Sequence, residues 1–142
     1  NIKRKGKILL FSLNKEHLLM KNLIIPFFVQ SDSIIIEELK KKLPKLGENG
    51  AISFILYGSY ASGSASLRSD LDLMIVVKKQ NTLLNKKMSS VKDYFLANDI
   101  LLRADIVDIL EFKKLYKQRE PLMKSIMQNH KILYGKEIEE LL

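Results

Sequence analysis

LYGSYASGSASLRSDLDLMIVV, residues Leu56–Val77, is the stretch that decides the fold. Gly58-Ser59 closes one apolar run. Ten residues further on, Asp70-Leu71-Asp72 opens another that continues through Val77. Carboxylates spaced i and i+2 on a strand point to the same face, about 7 Å apart along the chain. Oxygen ligands so placed hold hard divalent cations. A Gly-Ser turn at the mouth of a helix offers phosphate groups free backbone N–H groups and a hydroxyl. Metal ligands beside a phosphate cradle point to phosphoryl or nucleotidyl transfer.

A Gly/Ser-rich connection is most often only a loop, and one Asp at a strand start is most often a turn residue. Two on one face, running straight into Leu73-Met74-Ile75-Val76-Val77, are different. Like charges crowded at a core edge raise one another's pKa unless a cation lies between them. A Walker-type phosphate loop is excluded. Gly58 and Gly63 have its glycine spacing, but Ser64 and Ala65 stand where Lys and Ser/Thr are required.

Composition sets the outer bounds. The 142 residues suit one main domain with its own core, and 46% hydrophobic with 28% charged content is ordinary for a globular chain. With no cysteine, disulfides and thiolate metal sites are excluded, which fits a reducing cytoplasm. The longest apolar run, around Leu23–Val29, is interrupted by Pro26 and too short for a membrane span. The formal charge is +8; residues 1–48 hold ten Lys/Arg against five Asp/Glu. That bias weakly suggests nucleic acid. Lys40-Lys41-Lys42, however, reads as the solvated face of an amphipathic helix.

Periodicity and punctuation predict a strand over Lys7–Leu13 after the turn residue Gly6, then a buried helix from Glu16 to about Gln30 kinked at Pro26. A second helix, capped by Ser33, is expected to stop at Pro44 and Gly47. A central strand over Ile52–Tyr57 follows. After Gly58-Ser59 comes a short helical or irregular stretch, then a strand over Asp70–Lys78. Asn81 or Thr82 caps a helix to about Asn98, with Leu84, Met88, Val91 and Phe95 along one stripe. Arg103–Leu110 has strand periodicity. Glu111–His130 reads as helical with a break near Pro121, Ile132–Gly135 as a short strand or turn, and Glu137–Leu142 as a terminal helix. The expected architecture is α/β (α+β), a small mixed β-sheet covered by helices, with a strand–helix extension at the N-terminus.

A two-metal site needs a third acid. Asp105 and Asp108 are the candidates and lie on opposite strand faces, so parity alone does not choose between them. His17 and His130 have no partner at ligand spacing. Ser59 has no neighbouring His and reads as a phosphate-binding hydroxyl rather than a nucleophile.

Gly58-Ser59, ten residues, Asp70-Leu71-Asp72 resembles the motif of the nucleotidyltransferase superfamily that includes polymerase β, kanamycin nucleotidyltransferase and the small "minimal" nucleotidyltransferases. Ala104-Asp105-Ile106-Val107-Asp108-Ile109 is similar to the later strand from which the minimal branch takes its third acid, the first aspartate, which favours Asp105. A helix from Pro121 to His130 followed by Ile132-Leu133-Tyr134-Gly135 resembles the branch's closing segment. The resemblance runs from Ile52 to Gly135. It implies that Asp70, Asp72 and Asp105 hold two Mg²⁺ ions and that Gly58 and Ser59 bind the phosphates of a nucleoside triphosphate. A nucleoside monophosphate, AMP from ATP by family analogy, then passes to a hydroxyl.

The branch includes antitoxins that modify a tyrosine on a small helical nuclease, so a helical protein partner is the implied acceptor. The chain lacks the Arg…His signature of those nucleases. A second protomer could also complete the site. Many relatives carry Gly-Ser-x-Ala-Arg-Gly in the turn, where this chain has Ser62; Arg68 and Lys78 are the candidate replacements. Lys5-Gly6-Lys7 and Leu13-Asn14-Lys15-Glu16-His17 are similar to the tail of an upstream winged-helix domain. The expected division is therefore 1–48, an extension, and 49–142, the nucleotidyltransferase domain. The lost arginine and basic N-terminal third motivate an alternative, a non-catalytic nucleotide sensor or DNA-linked regulator.

Overall fold

A computed structural model describes residues 2–5, 8–66 and 69–142. The chain forms two compact units, residues 1–35 and 36–142. The boundary between these units falls inside a helix.

In the first unit, β1 (Ile2–Lys5) and β2 (Ile8–Phe11) form an antiparallel hairpin, with Ile2 opposite Phe11 and Lys5 opposite Ile8. The sequence predicts only the second of these strands. Gly6, Lys7 and Arg68 lie outside the described residues. The segment expected as a buried helix is instead exposed: Leu18, Leu19, Leu23 and Phe27 are each more than half accessible. A two-stranded hairpin has too little surface to cover them. A π-helical turn, Met20–Ile24, leads directly into α1 (Ile25–Gly47). Ser33 does not begin a helix but lies within α1. Pro26 follows directly on that π turn, in which the Ile25 N–H donates to Met20 O, and the wider turn accommodates the proline so that the helix runs on through it.

The second unit is built on a mixed four-stranded sheet in the order β5-β4-β3-β6. Its strands are β3 (Ala51–Tyr57), β4 (Leu71–Val77), β5 (Leu102–Asp108) and β6 (His130–Gly135). β3 is antiparallel to both neighbours, and β4 and β5 run parallel. The helices are α2 (Gly58–Ser62), α3 (Thr82–Leu96), α4 (Ile109–Lys117), α5 (Pro121–Gln128) and α6 (Ile138–Leu141). β4 is buried on both faces: Leu71, Leu73, Met74, Ile75, Val76 and Val77 are inaccessible. This explains its unbroken apolar run.

One sheet face, carrying Ile55, Tyr57, Met74, Val76 and Val107, packs against Phe112, Met123, Ile126, Ile138 and Leu141 of α4–α6. Alternation turns Phe54, Leu56, Leu73 and Ile75 the other way. The buried Leu39, Leu43 and Leu46 of α1 and Leu84, Met88 and Phe95 of α3 lie outside that α4–α6 cluster. Lys40–Lys42 are tied along the helix to Glu37 and Glu38, and Lys42 lies over the Tyr94 ring.

Local chemistry sets the boundaries. Asn81 caps α3 by accepting from the Leu83 N–H at 2.8 Å. Pro121 opens α5, and Glu137 with Glu140 forms a capping box for α6. β5 is an edge strand whose outward carbonyls are occupied by side chains. Lys92 Nζ donates to Ala104 O (3.3 Å) and Gln80 Nε2 to Ile106 O (3.2 Å). Among the described residues, no helix is long and apolar enough to cross a membrane.

Candidate active site

The register of β3, β4 and β5 brings the motifs together. Tyr57 lies opposite Asp72, Asp72 opposite Arg103, and Met74 opposite Asp105. Register partners face the same way and residues two apart share a face, so Tyr57, Asp72, Arg103 and Asp105 all project from the α4–α6 side of the sheet. Asp70 stands one residue before β4, where the next N–H, that of Leu71, donates to Leu101 O at 2.9 Å.

Gly58 follows Tyr57 and has φ of +71°, left-handed backbone that side chains disfavour. A Cβ there would stand 2.6 Å from Asp72 Oδ2. The missing side chain is therefore the space into which the Asp72 carboxylate fits. α2 then turns sharply. Ser59 O accepts from the Ser64 N–H (2.9 Å) and from Ser62 Oγ (3.1 Å), and Ser62 and Ser64 share a hydroxyl bond of 2.8 Å. Ser62, standing where relatives carry arginine, thus serves the turn itself. Lys78 follows the far end of β4 from Asp70, a strand length of roughly 20 Å, and does not replace that arginine.

Asp72 has its carboxyl raised above the ordinary value of 3.8, first by burial and then by the Asp70 charge, with Asp105 adding to the effect and Arg103 opposing it. Tyr57 donates its hydroxyl to Asp105 Oδ2 at 3.0 Å. Burial first, and then the Asp105 charge and hydrogen bond, push the phenol well above its ordinary value, so it stays a donor. Arg103 Nη2 lies 2.7 Å from Asp70 Oδ2.

Asp105 and Asp108 separate cleanly. Asp105 joins the acidic face, whereas Asp108 Oδ1 accepts from the Leu110 and Glu111 N–H groups at 2.9 and 2.8 Å as the N-cap of α4. Strand periodicity carried through Leu110 overruns this cap. The Asp108-x-x-Glu111 spacing is a capping signal that marks the true boundary. Asp108→Ala is expected to lower the unfolding free energy by about 1 kcal/mol, read from urea denaturation, without changing catalysis per folded molecule.

The residues sequence reasoning missed are Tyr57 and Arg103. Arg103 was legible in outline, being two positions from Asp105 and hence on its face. Tyr57 gave no signal beyond its place before Gly58.

The three acids share one electrostatic neighbourhood. Among the described residues, however, no three His, Cys, Asp or Glu side chains are gathered as a ready ligand group, and Asp70 is turned to Arg103. The donor set still suits a hard cation: carboxylate oxygens only, self-repelling at Asp72, and already drawing one positive group.

A four-stranded mixed sheet with a Gly-Ser turn and Asp-x-Asp at adjacent strand ends defines a nucleotidyl-transfer fold. The family model described as "Polymerase beta, Nucleotidyltransferase" matches residues 37–139, and the chain belongs to that family. Two Methanocaldococcus jannaschii proteins, each named "Putative protein adenylyltransferase", are similar in sequence. One is 37% identical over 70 residues, covering 48% of this chain and 71% of the relative. The other is 32% identical over 108 residues, covering 75% and 73%. Two solved toxin–antitoxin structures, one with AMP-PNP and one an MntA-HpeT mutant, align with TM-scores of 0.45 and 0.44 at 19% and 18% identity. Each alignment covers 71% of this chain and 77% of the other.

Proposed function

We propose that the protein transfers AMP from ATP to a hydroxyl group on a partner protein. The observation that carries this is the register that sets Asp72, with Asp70 beside it and Asp105 one strand over, against the Gly58 turn. The name shared by the two archaeal relatives supports the adenylyl donor and a protein acceptor. A tyrosine on a helical toxin partner is the acceptor the sequence resemblance favours.

In this reading Asp70, Asp72 and Asp105 hold Mg²⁺, which when bound neutralises the triphosphate and lowers the pKa of the attacking hydroxyl. Gly58 and Ser59 bind the β- and γ-phosphates through backbone N–H groups and the Ser59 hydroxyl. Asp105, steadied by Tyr57, accepts the proton of the acceptor hydroxyl. The acceptor oxygen bonds to the α-phosphorus as the bond to the bridging oxygen breaks, and pyrophosphate leaves with that electron pair.

The test is incubation with ATP labelled at the α-phosphate, Mg²⁺ and the product of a neighbouring gene. Label should appear on the partner protein with wild type and be lost with Asp70→Asn. Transfer that survives Asp70→Asn sinks the assignment. DNA binding without any transfer would favour the regulator alternative.

A further inference from the structure

Among the described residues of the acidic face, one cation stands out, and nothing above gives it a function. Arg103 lies opposite Asp72 in the β4–β5 register and two residues before Asp105. Its guanidinium is 2.7 Å from Asp70 Oδ2. It therefore supplies positive charge where a site of three carboxylates most needs it. Its side chain is 62% accessible and that of Asp70 27%. An ion pair this exposed is worth at most about 1 kcal/mol, so the contact is easily given up.

The described residues of the turn and the loop after it, 58–66, meanwhile carry no guanidinium. The Ser62 hydroxyl is spent on Ser59 O and Ser64. Two observations thus meet: a phosphate-facing turn, Gly58–Ser64, that has no cationic side chain of its own, and an arginine weakly held at the edge of the acidic face.

We infer that Arg103 is a charge-exchange residue. In the empty site it stands in for the divalent cation at Asp70. When cation and nucleotide enter, it leaves Asp70 and binds the polyphosphate. The exchange follows from charge. A divalent ion on Asp70 competes for the oxygen that Arg103 holds, and two cationic groups on one carboxylate repel. The released guanidinium then finds in the triphosphate a partner to which it can donate two parallel, charge-assisted hydrogen bonds. The inference rests on the nucleotidyl-transfer reading and names a determinant within that site.

Mn²⁺ binding by calorimetry without nucleotide, and MgATP binding with it, test the exchange on the full chain. Arg103→Gln removes the internal competitor, so Mn²⁺ alone should bind up to about fivefold more tightly. MgATP should bind roughly ten- to hundredfold more weakly, the loss of a hydrogen bond to a charged group. Arg103→Lys keeps the charge without the planar fork. It should restore wild-type Mn²⁺ affinity and recover MgATP affinity only in part. Weaker Mn²⁺ binding by Arg103→Gln, or unchanged MgATP affinity, overturns the inference. Equal Mn²⁺ binding by wild type and Asp70→Asn would overturn the site assignment itself, and the inference with it.

Discussion

Asp72→Asn will abolish nucleotidyl transfer and, in the absence of metal, raise the melting temperature at neutral pH. The loss of transfer should reach roughly 10²–10³-fold or more, the scale of removing one preorganised stabiliser of developing charge. The gain in stability follows from linkage. The Asp72 carboxyl is raised above 3.8 in the folded chain, by burial first and by Asp70 next. A carboxyl whose folded pKa exceeds its unfolded value favours folding when protonated. Its stability contribution declines as pH rises from about the unfolded value through the folded one, and stays lost above. At pH 7 the ionised group is a net burden in the metal-free protein. Asn has the same shape, carries no charge and relieves the repulsion from Asp70 and Asp105. Thermal scans in EDTA should show the variant melting a few degrees above wild type at pH 7 and converging with it near pH 3. A lower melting temperature at pH 7 would mean that the Asp72 charge supports the fold.

The second large effect lies at the far edge of the sheet. Gly135→Ala should lower the unfolding free energy by about 3 kcal/mol or more. Gly135 has φ of +89°, and a Cβ there would run into Ile52 O and stand 2.9 Å from Ser53 Cα. The obstructing atoms are backbone of β3, a strand hydrogen-bonded on both sides. They have nowhere to retreat. The φ penalty and the clash therefore add. Urea denaturation measures the loss, and a change below 1 kcal/mol would show that β6 can shift outward to admit the methyl group.

These two positions mark what the sequence made legible. The Gly-Ser turn, Asp70 and Asp72 were readable because two carboxylates and a chain reversal have few other reasons to sit beside a buried strand. Tyr134-Gly135 was legible as the end of a short strand or turn and as part of a resemblance, and the backbone contact with β3 gives the glycine its physical reason. Asp105 could not be chosen over Asp108 by parity, since both alternate with apolar neighbours. The α4 cap decides against Asp108, and that information was local, in the Asp108-x-x-Glu111 spacing.

The N-terminal misreadings have different causes. Pro26 and Ser33 looked like a kink and a cap because each is one in isolation. Pro26 is accommodated by the π turn just before it, and Ser33 follows the helix around it. Ile2–Lys5, IKRK, has too little apolar alternation to announce a strand. The Arg103–Asp70 pair joins β5 to the residue just before β4, and single-sequence periodicity carries no register between strands.

The acidic face is divided between strands of unequal protection. Asp72 belongs to β4, bonded on both edges, whereas Asp105 belongs to β5, which is paired with a strand on one side and met on the other by the Lys92 and Gln80 side chains. Amide hydrogens of β5 should therefore exchange with solvent sooner than those of β4, through local openings that leave the rest of the sheet closed. Asp105 rides on the segment that opens first, so a ligand clasped between the two strands acts as a stitch, slowing exchange along β5 far more than along β4.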